Sequence, residues 1–518
     1  MQMYTYSRST GFWRVLLVLL TTPMPSLALA ALLDALPLEP IELGLAHSGT
    51  TWVRGVFMTI IESYSVISLL QHDVVNLELS SFWTLTISTA TALVNNALAL
   101  SITALLWYPL PFILFWMAWP WIALLVLFVW LAKGAFIRAN PDVLTRLRRF
   151  SSVATSQLVT IMAYSIFKAV FLIVPTAWQP AFAMILPVFK LFQKNLLARM
   201  LKDRDDLKPQ VIVFNVEISN ALFITNSVQT GVSIDTSILL VATDFLQLLV
   251  SIYDLNLMLS DVRDFTNKLG VDSRQAVATA FTVMETHPDL AVKKVLDRAF
   301  QSKADLFRNR TRRSAVVTIE ASVSASSSNN PAKIDWRKRS NQQKGATSTQ
   351  STVLDRGLTI GPPASSTQAA RQPSVADSIS ITARLTMLER HLLLQKVLQI
   401  LFLTEFVLLI EFMEVLVPVL HCSYLTIAYY LPNRAFYSEL NQLNETQFWS
   451  MIGHVMAYAL LEVFSLLLLV LAIHRTTYPF PLQHLSFVLE HDRPKVQPKI
   501  VIWVVLVLQA MLPQNGKT

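Results

Sequence analysis

Leu79-Ser80-Ser81-Phe82-Trp83-Thr84-Leu85 opens a stretch that runs to Val129-Trp130-Leu131-Ala132 without one Asp, Glu, Lys or Arg. A single membrane crossing needs about 20 apolar residues, so these 54 are too many for one helix. Pro109-Leu110-Pro111 divides the stretch, because two prolines one residue apart stop a helix and force an extended turn. The stretch therefore reads as a helical hairpin through a bilayer, with halves at 82–106 and 111–132.

The rest of the chain agrees. Hydrophobic residues make up 53% of its 518 positions and charged ones 15%, against about 25% charged in soluble domains. The expected fold class is all-α, a polytopic membrane protein of about 10–11 spans with a disordered insert. The single cysteine, Cys422, excludes an intrachain disulfide and any zinc site built on several cysteines. Only 12 glycines occur, and no GxxxG pair falls in a span, which disfavours a carrier hinged on glycine.

Apolar runs place spans near 15–36, 52–70, 82–106, 111–132, 153–174, 181–189, 211–233 and 237–259, then 397–417, 451–473 and 500–512. The run at 181–189 is short and holds Pro187, and 500–512 is shorter than an ordinary crossing. Ala28-Leu29-Ala30 resembles a signal-peptidase site, but the apolar run continues beyond it, favouring a retained first span. Residues 260–300 read as short soluble helices. Residues 301–377 are basic, rich in Ser and Thr and poor in large apolar groups, so they cannot offset their ordering entropy. Pro418 is expected to stop or kink the 397–417 helix.

Basic loops accumulate on the cytoplasmic side. Loop 133–149 carries Lys133, Arg138, Arg146, Arg148 and Arg149 against Asp142 alone, and 190–208 and 301–345 are also basic. The first loop, with Asp34, Glu39 and Glu42, is acidic. An even number of crossings separates these basic loops, so a cytoplasmic N-terminus and insert follow without contradiction. Of two glycosylation sequons, Asn309-Arg310-Thr311 and Asn444-Glu445-Thr446, charge places only Asn444 outside. In the insert, Ser314 and Ser340 follow basic clusters. The insert could contact anionic lipid or a cytoplasmic protein, and phosphorylation at these serines would release it from the anionic leaflet.

Several stretches carry a resemblance. They are Thr22-Pro23-Met24-Pro25 with Leu32-Leu33-Asp34-Ala35-Leu36-Pro37-Leu38, and Val213-Phe214-Asn215 with Asn220-Ala221-Leu222-Phe223. Glu411 and Glu414 before Val417-Pro418, and Tyr430-Leu431-Pro432-Asn433-Arg434, complete the set. Together they resemble a large group of multi-pass membrane proteins of water moulds (oomycetes), to which no agreed activity attaches. The resemblance covers most of the membrane part and implies topology, not a site.

Ionisable groups inside spans are expensive and mark functional candidates. Asp244, Gln247, Ser251 and Asp254 fall on one stripe of the 237–259 helix. A second polar stripe, Asn215, Ser219, Asn226, Gln229 and Ser233, lies on the preceding span. The two could face each other along a wet path or hydrogen-bond between packed helices. Glu411 and Glu414 share a helix face, and two such carboxylates in low dielectric favour a shared proton. His421 lies two turns on, and Lys168 is the mid-span cation available as counter-ion. A metal there would need ligands from other spans, such as His454 or Glu462. No HExxH or paired ExxH motif is present, so no metal or cofactor is assigned.

Soluble catalytic signatures are absent: no GxSxG, no GxxxxGK[ST] and no GxGxxG. The basic residues are juxtamembrane, which topology explains better than nucleic acid. The leading expectation is ion, proton or small-solute transport along buried acids. The alternative is a membrane scaffold or signalling protein that recruits partners through the insert, and an intramembrane enzyme ranks last.

Overall fold

A computed structural model describes residues 9–201, 211–229, 234–268, 386–476 and 481–509, with Tyr6, 279–280 and short loop gaps at 75–76, 78, 111–112, 176 and 438–439. The expected soluble helices at 260–300 largely, and the insert at 301–377 with Ser314 and Ser340 entirely, lie outside the described residues.

Fourteen α-helices make up the described chain, and no strand occurs among its residues. They are α1 (Phe12–Thr21), α2 (Met24–Asp34), α3 (Gly49–Asp73), α4 (Ser81–Leu105), α5 (Ile113–Ala139), α6 (Pro141–Ile173) and α7 (Gln179–Ala183). They continue with α8 (Ile185–Met200), α9 (Ile218–Gln229), α10 (Ile234–Lys268), α11 (Met387–Tyr430), α12 (Glu445–Thr476), α13 (Pro481–His491) and α14 (Arg493–Gln509). A π-helical turn, Val213–Glu217, leads into α9.

Among the described residues, eight helical stretches are long and apolar enough to cross a membrane: 12–34, 49–73, 81–105, 113–139, 141–171, 181–200, 238–257 and 445–474. The charge-free stretch forms the expected pair of helices α4 and α5, which pack against each other. The outer faces of the hairpin are apolar and bare: Leu105 is 83% exposed and Trp116 65%. Trp83 at one end of α4 and Trp107 beyond the other place aromatic rings where bilayer interfaces favour them. Toward α3, the hairpin packs on small groups. A Cβ on Gly55 would meet Asn96 Oδ1 at 2.7 Å, so a larger residue there would require the Asn96 side chain to move.

The centre of the bundle is α11, a 44-residue helix buried on nearly every side from Val397 to Tyr429. Its start is fixed by a capping box, in which Thr386 accepts from the Glu389 N–H and Glu389 accepts from the Thr386 N–H. An all-round apolar helix must be enclosed, and α2, α9, α10, α12 and α13 enclose it. The helix runs on to Tyr430, so a stop, one of the two outcomes expected from sequence, does not occur at Pro418. Its missing N–H leaves the Glu414 carbonyl without its helical partner, a defect that enclosed membrane helices absorb.

Two other expectations change. The short run at 181–189 extends as α8 to Met200, because Pro187 sits in the first helical turn, where no N–H is needed. Likewise α10 continues past Leu259 to Lys268. The described part of the 500–512 run, up to Gln509, belongs to α14, which begins at Arg493 and packs along α3 and α2.

Candidate functional site

Helix α8 carries Leu186, Lys190, Gln193 and Leu197 on its buried stripe. The sequence placed Lys190 at the start of a basic loop. The structure instead buries it, at 3% exposure, inside the bundle. Its ammonium lies 2.8 Å from Glu217, 3.6 Å from Asp244 and 3.7 Å from Glu414. Lys194, one turn on, also pairs with Glu217. Glu217 is fully buried. The π turn that ends on it inserts an extra residue into the helical ladder, a distortion common at functional sites.

On the other side of this pair, α11 and α12 bring three glutamates together. One carboxylate oxygen from each of Glu411, Glu414 and Glu462 lies within 4.8 Å of the other two. Three atoms so placed always have some point within about 2.8 Å of all of them, near the 2.3–2.6 Å of calcium–oxygen bonds. Asp244 lies within electrostatic range of all three. Its Oδ1 accepts from Asn220 Nδ2 at 3.5 Å, while its buried Oδ2 has no hydrogen-bond partner among the described residues. Five carboxylates therefore surround two ammonium groups, a formal charge of −3 with every group ionised. Each of the five is less than a tenth exposed.

The described members of the two predicted stripes make several different contacts. Gln229 meets His421 (Oε1 to Nε2, 2.5 Å), which links α9 to α11. Asn215 lines a cavity at one end of the bundle. Asn226 donates to the Leu222 carbonyl, and the Ser219 and Ser251 hydroxyls donate to carbonyls of their own helices. Gln247 is half-buried, and the side chain of Asp254 lies outside the described residues. Lys168 is half-buried on α6. The cation beside Asp244 and Glu414 is Lys190, which sequence reasoning missed by ending its span at Phe189.

A second buried charge centre joins the two ends of the chain. Asp34, at the end of α2, pairs with Arg54 Nη1 on α3 at 2.9 Å, both side chains buried. The Tyr437 hydroxyl donates to Asp34 at 2.6 Å and shares a hydrogen bond with the Tyr424 hydroxyl at 2.6 Å. Burial, and then the Asp34 charge, push the Tyr437 phenol well above its ordinary range, so it stays a neutral donor. Asn433 donates to the backbone carbonyls of Asp34 and Leu36 and accepts from the Leu38 N–H. The stretches around Asp34 and Asn433, both singled out in sequence, are thus one structure in space.

The helices, their exposed apolar faces and these enclosed charges define a multi-pass α-helical membrane protein. No protein-family model, curated protein or solved structure matches the chain.

Proposed function

We propose that the protein moves protons or small cations across a membrane, with Asp244, Glu411, Glu414 and Glu462 as the carrying groups. The observation behind this reading is the excess of five buried carboxylates over two ammonium groups in one cluster. A charge of −3 in a low-dielectric interior costs many kcal/mol, so bound protons or a cation must neutralise it. Intramembrane acids of this kind mark ion and proton routes. All-oxygen ligation suits hard cations such as Na⁺, Mg²⁺ or Ca²⁺ over transition metals. Lys190 acts as a fixed counter-charge whose pairing with Asp244 and Glu414 loosens when a cation arrives. The test is reconstitution of the purified protein in liposomes with assays of proton, Na⁺, K⁺, Mg²⁺ and Ca²⁺ flux. Flux of one of these ions that Asp244→Asn reduces supports the reading. A folded wild-type protein that moves none of them refutes it.

A further inference from the structure

We infer that a basic cleft where α3, α6 and α14 meet binds one anionic phospholipid, with its phosphate among four cations and an acyl chain in an adjoining apolar groove. The cleft is separate from the acidic cluster, and the inference is independent of the proposed transport.

The cleft has a volume of about 120 Å³. One water needs about 10–15 Å³ of such space, so the cleft admits a group of headgroup size. Arg146, Arg149, Lys495 and Lys499 line it, and Asp73 is the one carboxylate on its wall. Lys495 is engaged by Asp492 at 3.2 Å. Arg146 is half-buried and has no hydrogen-bond or ion-pair partner among the described residues. A guanidinium in that position offers a planar fork matched to phosphate oxygens.

What selects a lipid over a free phosphate is the continuation of the cleft. A groove between α3, α5 and α6 shares Val66, Phe150, Ala154, Gln157 and Ile502 with it. No charged residue lines the groove, and its only polar side chains besides the Trp121 indole are Ser151 and Gln157. From Arg146 to Ile161, α6 rises roughly 22 Å at 1.5 Å per residue. One leaflet of a bilayer core is about 15 Å deep, so the groove is long enough for an acyl chain. Charge at the helix ends and a dry groove along the spans match the two halves of an anionic lipid, and basic pockets between membrane helices bind such headgroups.

The experiment uses the full-length protein in mild detergent, measuring bound lipid by native mass spectrometry and the shift in unfolding temperature. Dioleoyl phosphatidylglycerol, dioleoyl phosphatidylcholine and inorganic phosphate are added separately. The expected result is one phosphatidylglycerol per chain, held at least tenfold more tightly than phosphatidylcholine, with no stabilisation by phosphate. Arg146→Gln with Lys495→Gln should lower the preference about tenfold. Ala154→Phe, which fills the junction and keeps the charges, should lower phosphatidylglycerol binding too. Equal binding of the two lipids overturns the inference. Stabilisation by phosphate equal to that by phosphatidylglycerol assigns the cleft to a free anion and overturns it as well. These wild-type comparisons decide the matter even where a variant fails to fold.

Discussion

Tyr437 donates its hydroxyl to Asp34 at 2.6 Å across 403 positions of sequence, and the same Asp34 oxygen meets Arg54 at 2.9 Å. This contact holds the first membrane helix to the loop after α11, so the N-terminal and C-terminal halves close on one buried ion pair. Breaking a buried pair from one side strands the other charge, at about 3–5 kcal/mol. Arg54→Met should therefore lower the unfolding temperature far more than Tyr437→Phe. The latter removes one charge-assisted hydrogen bond worth about 1.5–3 kcal/mol. Thermal unfolding of both variants, and of Arg54→Met with Asp34→Leu, checks the account. The double variant should recover much of the loss, because no unpaired charge remains.

His484 gives a pH dependence with a defined sign. It is buried on α13, and burial pushes its imidazole down to about 4. The unfolded chain, near 6.5, binds the proton first, so stability is fully present above pH 6.5 and falls as pH drops toward 4. Two and a half pH units correspond to roughly 3 kcal/mol. Glu490, on the same helix, is held below its ordinary range by the Tyr6 hydroxyl and by Arg14, so its contribution is lost only below about 4.5. Denaturant midpoints of the wild type and of His484→Gln, compared between pH 7 and 4.5, should converge as the pH falls. A constant difference across that range contradicts the assignment.

Much of the architecture was readable because it rests on local composition. The charge-free 79–132 stretch and its two prolines defined α4 and α5, and the three-residue spacing of Glu411 and Glu414 put them on one face. Glu462 was named only as one possible further ligand, since nothing local ties α12 to α11. The rest depends on long-range packing. Lys190 lay beyond an apolar run that ended at Phe189, and only its place on the stripe with Leu186, Gln193 and Leu197 reveals that it turns inward. Glu217 reaches Lys190 through a π turn, a distortion that hydrophobic periodicity does not register. The Asp34–Arg54–Tyr437 centre joins residues that share no local pattern. It explains why the stretches around Asp34 and Asn433 stand out together.

Asn444 tests the direction of the bundle. It is exposed at the start of α12, and its Oδ1 accepts from the Thr446 hydroxyl at 2.8 Å and from the Gln447 N–H. The basic loops predict a cytoplasmic N-terminus and insert, and in that orientation Asn444 would face the lumen or the outside and could carry a glycan. Expression in a glycosylating host should give a gel shift that a glycosidase and Asn444→Gln both abolish. A shift that depends on Asn309 instead would invert the topology.

The most direct test of the proposed transport is ion flux through the double variant Glu411→Gln, Glu414→Gln in liposomes, beside the wild type. Amides keep the size and hydrogen-bonding capacity of the carboxyls but remove two of the five negative charges around Lys190 and Lys194. The account predicts at least a tenfold fall in proton or cation flux, while elution volume and unfolding temperature show an intact fold. Unchanged flux in the folded double variant would contradict it.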